Sequence, residues 1–145
     1  MDDYPTKTLL LVEDNEDDVF LMRRALKKAG INQPLQVVMD GQEALDYLGA
    51  TGRFADQSQF PTPTLVFLDL KLPYVHGFEV LGWIRQQNSL KGLPVVILTS
   101  SPEERDRQRA HDLGAKAYFV KPPSGEVLLQ AMQFIHPMTS VKASV

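Results

Sequence analysis

No cysteine occurs in the 145 residues, and that absence removes disulfides, zinc-thiolate sites and cysteine nucleophiles together. It agrees with a reducing compartment, and a cytoplasmic protein is expected. No apolar run approaches the roughly 20 residues that span a bilayer. The start Met1-Asp2-Asp3-Tyr4-Pro5 lacks the basic and apolar regions of a secretory signal, so no membrane partner is expected. Net charge is −3, with Lys and Arg interleaved among acids. Without a basic stripe, no nucleic-acid partner is expected. Internal repeats are absent, as is any linker long enough to divide the chain. Apolar residues make up 43% and charged residues 23%, the balance of a globular chain rather than a disordered one. The length suits one domain with a full core. The expectation is a single domain over 1–145, its core at about 7–136 and a flexible tail at 137–145.

Three short apolar runs are present: Leu9–Val12, Leu65–Leu68 and residues 95–98. Each is continuous rather than alternating, as strands buried on both faces of a parallel sheet are. Residues 35–39 and Ala117–Val120 are two weaker strand candidates. Segments with helical spacing lie between them. The first is expected to begin near Asn15, with Glu16, Asp17 and Asp18 at the positive end of its dipole. Val19, Met22, Leu26 and Ala29 form its inward face, and Gly30 supplies a left-handed stop. Residues 41–49 and 78–88 read as the next two helices, the latter with Leu81 and Ile84 inward. Ser101-Pro102-Glu103-Glu104 reads as a capping box that opens the fourth. The fifth is expected to run from Ser124 or Gly125 to His136. Alternating strands and helices with right-handed crossovers predict a doubly wound α/β fold: a five-stranded parallel sheet with helices on both faces. Residues 50–64 and those after Pro137 are expected to be loose.

The informative polar residues are those that end the apolar runs. Glu13 and Asp14 follow the first, Asp69 follows Leu65–Leu68, Thr99 follows 95–98, and Lys121 follows the last. In a parallel sheet all five share the carboxyl edge, where ligands of such folds collect. Clustered carboxylates repel one another unless a cation joins them. Oxygen donors without histidine or cysteine suit Mg2+. A lysine and a hydroxyl beside them suit a group with spread negative charge, such as a phosphoryl group in transfer. One carboxylate is then the nucleophile that forms an acyl phosphate, and Asp69, mid-sheet among the others, is the candidate. Plainer readings exist for each: Glu13 and Asp14 as helix-dipole acids, Thr99 as a strand residue, Tyr118 as core packing, Lys121 and residues 103–112 as solvated charge. For Glu13, Asp14, Thr99 and Lys121 the shared place on one edge favours the chemical reading. His76, His111 and His136 show no ligand spacing and read as surface residues.

The ordered set Leu11-Val12-Glu13-Asp14-Asn15, Leu68-Asp69-Leu70-Lys71-Leu72-Pro73, Ile97-Leu98-Thr99-Ser100 and Tyr118-Phe119-Val120-Lys121-Pro122 resembles the receiver domain of two-component response regulators. The likeness runs from about Thr8 to Ile135 and implies the flavodoxin-like receiver fold. It also implies roles. Asp69 matches the phosphoacceptor, Asp14 the direct Mg2+ ligand, Glu13 the acid that holds a metal-bound water, and Lys71 the residue whose backbone carbonyl completes the metal ligands. Thr99, with Ser100 beside it, matches the phosphoryl-binding hydroxyl. Lys121 matches the paired lysine, the Lys121-Pro122 bond one that is cis, and Tyr118 the aromatic switch. His76 departs from the small polar residue more common before Gly77, and Ser101 stands at a position that tunes dephosphorylation. Residues 50–64 and the lack of an output domain resemble regulators that serve phytochrome-type histidine kinases.

The resemblance implies a phosphoacceptor signalling protein that catalyses its own phosphotransfer and dephosphorylation, rather than a conventional enzyme. Its expected partners are a histidine kinase and a second copy of itself. That homodimer is expected through the fourth and fifth helices, with Phe134-Ile135 and residues 137–145 adding to the interface. An aspartate-nucleophile phosphatase would place a second acid where Lys71 stands. A dinucleotide binder would need a glycine-rich loop where Glu13-Asp14-Asn15-Glu16 stands. The alternative that survives is a receiver-like interaction module that is never phosphorylated.

Overall fold

The computed structural model describes residues 7–135. Strands β1 (Leu9–Val12), β2 (Leu35–Val38), β3 (Leu65–Leu68), β4 (Val95–Thr99) and β5 (Ala117–Val120) form one parallel sheet in the order β2-β1-β3-β4-β5. The central strands β1, β3 and β4 are buried along their whole length, whereas the edge strands β2 and β5 are only partly covered. That difference explains why only three of the five runs are strongly apolar in sequence.

Successive side chains point to opposite faces of a strand, so each apolar run feeds two cores. Leu10, Val12, Val66, Leu68 and Ile97 pack on one face against α2 (Gly41–Leu48) and α3 (Gly77–Gln86), with Ala110 of α4 (Glu104–Asp112). Leu9, Leu11, Leu65, Phe67 and Val96 pack on the other face against α1 (Glu16–Lys28) and α5 (Gly125–Met132). Leu81 and Ile84 point inward with no exposed surface, each such burial contributing about 1.5–3 kcal/mol.

The first helix starts as its sequence predicts. Asn15 caps it by accepting the Asp18 amide at 3.1 Å, and Gly30 ends it at φ 77°. Ser124 caps α5 through the Val127 amide. That helix ends at Met132, and His136 lies outside the described residues, as does the tail.

Three local expectations are corrected. Helix α4 begins at Glu104, and Ser101 does not form a capping box with it. The Ser101 hydroxyl instead donates to Asp106 Oδ2 at 2.7 Å and accepts the Glu103 amide at 3.3 Å. The helix begins three residues beyond Ser101, so the hydroxyl reaches the amide of the cap residue Glu103 rather than the free amides of the first turn. Helix α3 starts one residue earlier than expected, because His76 caps it. Its Nδ1 accepts the Phe78 amide at 3.1 Å, and the Glu79 carboxylate accepts the His76 amide in return. Residues 50–64 are not loose throughout. Phe54 is buried against Tyr47 and Phe60 in a trio of rings, one pair tilted and two edge-to-face, and the Tyr47 hydroxyl donates to the Pro61 carbonyl at 2.8 Å. The glycine and proline content concealed this aromatic anchor.

Candidate functional site

The strand order reverses between β1 and β3, and the groups expected on the carboxyl edge meet there. Backbone bonds continue the ladders past the strand ends: the Asp69 amide donates to Val12 at 3.2 Å, and the Lys121 amide to Thr99 at 2.8 Å. These bonds hold Glu13, Asp69 and Lys121 side by side although the chain separates them widely.

Asp69 is 6% exposed and Glu13 2% exposed, while Asp14 faces solvent. Oxygens of Glu13, Asp14 and Asp69 lie within 4.8 Å of one another. Such a set, all hard oxygen and open on the Asp14 side, fits a divalent cation that keeps several waters. Asp69 Oδ1 accepts the Leu70 amide at 2.7 Å, with the Lys71 amide farther off at 3.4 Å. Asp69 Oδ2 accepts from Lys121 Nζ at 2.9 Å. Lys121 also pairs with Glu13 Oε1 and, at 2.9 Å, with Asp18 Oδ2.

Burial in this pocket opposes both charges. It pushes the Glu13 carboxyl above its usual range, against the lowering hydrogen bond from Lys121, and Asp69 nearby adds repulsion. Burial also works against the Lys121 ammonium, but hydrogen bonds to Glu13, Asp69 and Asp18 outweigh it and raise its pKa. The lysine therefore stays charged at any physiological pH.

The remaining candidates form a second layer. Thr99 is fully buried, and its hydroxyl faces the Ser101 amide at 3.5 Å. Ser100 is exposed just beyond it. Lys71 carries its side chain into solvent, and its amide faces the Asp69 carboxylate. The Lys121-Pro122 bond is cis. Tyr118 is buried with its hydroxyl on the Ser101 carbonyl at 2.8 Å. Burial raises its phenol pKa, and Arg107 lies over its ring at 4.7 Å. A chain of contacts thus runs from Thr99 through Ser101 to Tyr118 and α4.

Two participants were not singled out from sequence. Arg107 holds the Tyr118 carbonyl at 3.1 Å as well as its ring. Asp18 was counted only as a helix-dipole acid. Its signal was its place at the third helical residue directly behind β1, where side chains lean back toward the helix start and so toward the strand ends.

Comparison with known proteins agrees with this geometry. The response regulator receiver domain profile matches residues 9–133. Response regulator Rcp1 of Synechocystis sp. is 37% identical over 131 residues, covering 90% of this chain and 87% of that protein; its Mn(2+)-bound crystal structure superimposes with a TM-score of 0.74 over 96% of this chain and 99% of that one. The bacteriophytochrome response regulator AtBRR is 40% identical, with a TM-score of 0.82 over 96% of this chain and 99% of its own. The phosphorylated cyanobacterial phytochrome response regulator RcpA is 33% identical, with a TM-score of 0.78 over 95% and 98% of the two chains. From a profile that spans nearly the whole folded part, and relatives alike over most of their length, it follows that this chain belongs to the family of response regulator receiver domains.

Proposed function

We propose that this receiver accepts a phosphoryl group on Asp69 from a histidine kinase, with Mg2+ held by Glu13, Asp14, Asp69 and the Lys71 carbonyl. The observation that carries the reading is the state of Asp69 itself. It is a buried carboxylate with one oxygen anchored on the Leu70 amide and the other on Lys121, beside an acid cluster fit for a cation. In the transfer an Asp69 oxygen attacks phosphorus, the nitrogen–phosphorus bond of a phosphohistidine breaks, and the imidazole nitrogen leaves with the electron pair. Mg2+ would offset the negative charge that gathers on the phosphoryl oxygens. Lys121 neutralises one further oxygen, and its fixed positive charge requires no rearrangement as charge develops.

The new acyl phosphate adds charge within reach of Thr99 and Ser100, and the contacts from Ser101 to Tyr118 offer a route to α4. Such a switch needs contacts that differ between the two states. Thr99→Ala is expected to be labelled at close to the wild-type rate but to lose most chemical-shift changes over residues 103–121 on adding a phosphate mimic. Equal responses in the two proteins would count against the coupling.

The names of AtBRR and RcpA, a bacteriophytochrome and a phytochrome response regulator, support a phytochrome-type kinase as the donor. A homodimer through α4 and α5 is the proposed assembly, and a cytoplasmic location the proposed setting. Among the described residues no helix is long and apolar enough to cross a membrane. Light scattering with and without a phosphate mimic tests the dimer, and a monomer mass under both conditions at high concentration removes it.

Calorimetric titration with Mg2+, then with beryllium fluoride, tests the central reading. Wild type should bind the mimic only once Mg2+ is present. Asp14→Asn should lower Mg2+ affinity at least about tenfold, since a hard cation loses a charged ligand. A wild-type protein that binds neither is an interaction module that works without phosphorylation.

A further inference from the structure

The Lys121 ammonium has three N–H donors, and three carboxylates take them: Glu13, Asp69 and Asp18. Two of these partners also belong to the acid cluster that fits a cation; Asp18 does not. Asp18 is set on α1, where Asn15 fixes its backbone amide at 3.1 Å. Lys121 borders a small, mostly apolar cavity together with Leu11, Met22 and Leu98, and its side chain is 12% exposed.

We propose that Asp18 is a positioning residue for phosphoryl transfer, holding the Lys121 ammonium over Asp69 while Glu13 and Asp69 turn their oxygens to other partners. The inference rests on the reading of Asp69 as phosphoacceptor. When Asp69 becomes an acyl phosphate, its bond to Lys121 passes to a phosphoryl oxygen. Glu13 would turn to the cation when one is bound. Asp18 alone keeps its bond throughout, and it thereby defines the direction of the donor that meets the phosphoryl group. A plain helix-dipole acid would act differently: its loss would lower stability slightly and leave transfer unchanged. Asp17, exposed in the same turn, is the internal control for that effect.

The test is labelling of the Mg2+-loaded protein by a small acyl phosphate, with melting followed in parallel. Asp18→Ala should be labelled about tenfold more slowly and Asp17→Ala at close to the wild-type rate, as loss of a preset charge rather than of the helix dipole requires. Asp18→Asn, which keeps an acceptor oxygen, should recover part of the loss. In a Lys121→Ala background, Asp18→Ala should add little further loss, because it acts through the lysine. Without metal, the Lys121 ammonium should give a resolved 1H–15N signal in wild type that vanishes in Asp18→Ala. Wild-type labelling of Asp18→Ala, or an undiminished effect in the Lys121→Ala background, overturns the proposal. Failure of wild type itself to be labelled overturns the phosphoacceptor reading instead, and the ammonium signal still decides the role of Asp18: its persistence in Asp18→Ala overturns that role.

Discussion

Asp69→Asn should take no phosphoryl group from a histidine kinase or from a small acyl phosphate, while remaining folded. The amide has nearly the same shape, so the carbonyl oxygen of the introduced side chain can still accept the Leu70 amide that Asp69 accepts at 2.7 Å. What disappears is the anionic oxygen, and a neutral amide oxygen is too weak a nucleophile to form the acyl phosphate. Lys121 is not orphaned by the change, because Glu13 and Asp18 remain on its ammonium. Stability should therefore hold, and relief of the repulsion that Asp69 exerts on Glu13 works in the same direction. Intact-protein mass after incubation with donor and Mg2+ reads the result. Complete labelling of the variant at a single other residue would sink the assignment of Asp69.

Gly77→Ala should be strongly damaging although it adds a single methyl group. A Cβ at this position would fall 2.3 Å from the Asp69 carbonyl oxygen and 2.6 Å from Leu70 Cα. Both are backbone atoms of the segment that carries the phosphoacceptor, so neither can swing aside as a flexible side chain does. The loop reaches this contact by turning at Tyr74, whose φ is 70°, and by donating the Gly77 amide to the Leu70 carbonyl at 2.8 Å. Relief of the clash must push α3 off the end of β3, which should cost about 3 kcal/mol or more. The fraction that still folds should be labelled slowly, because Asp69 moves with the backbone. Gly82→Ala, in the same helix with open space around it, should stabilise by about 0.5–1 kcal/mol through helix propensity alone. Urea unfolding of the two variants checks the contrast, and an equal response would show that the α3–β3 contact is not rigid.

How far the sequence could be read follows from what each feature depends on. The apolar runs of β1, β3 and β4 were legible because burial on both faces demands continuous hydrophobicity, and the acids, the threonine and the lysine were legible because they interrupt those runs. The edge strand β2 was read one residue long, since a half-covered strand carries a weaker pattern. The His76 cap was missed because histidine seldom fills that position, and the Ser101 box was read wrongly because the helix begins at Glu104, which leaves Ser101 ahead of the cap position. The aromatic trio in 50–64 was hidden by the glycine and proline around it.

Sequence by itself determined the parallel α/β topology, the family likeness and the five polar residues on one edge, because these follow from one-dimensional pattern and from the rule that parallel strands end together. Tertiary structure alone decided that Lys121 divides its ammonium among Glu13, Asp18 and Asp69, that Tyr118 turns its hydroxyl to Ser101, and that Gly77 must lie on the Asp69 backbone. Each is a contact between segments far apart in the chain or a matter of ångström-scale clearance. Local propensity carries no information about either, since both are set only when the two layers of helices close on the sheet.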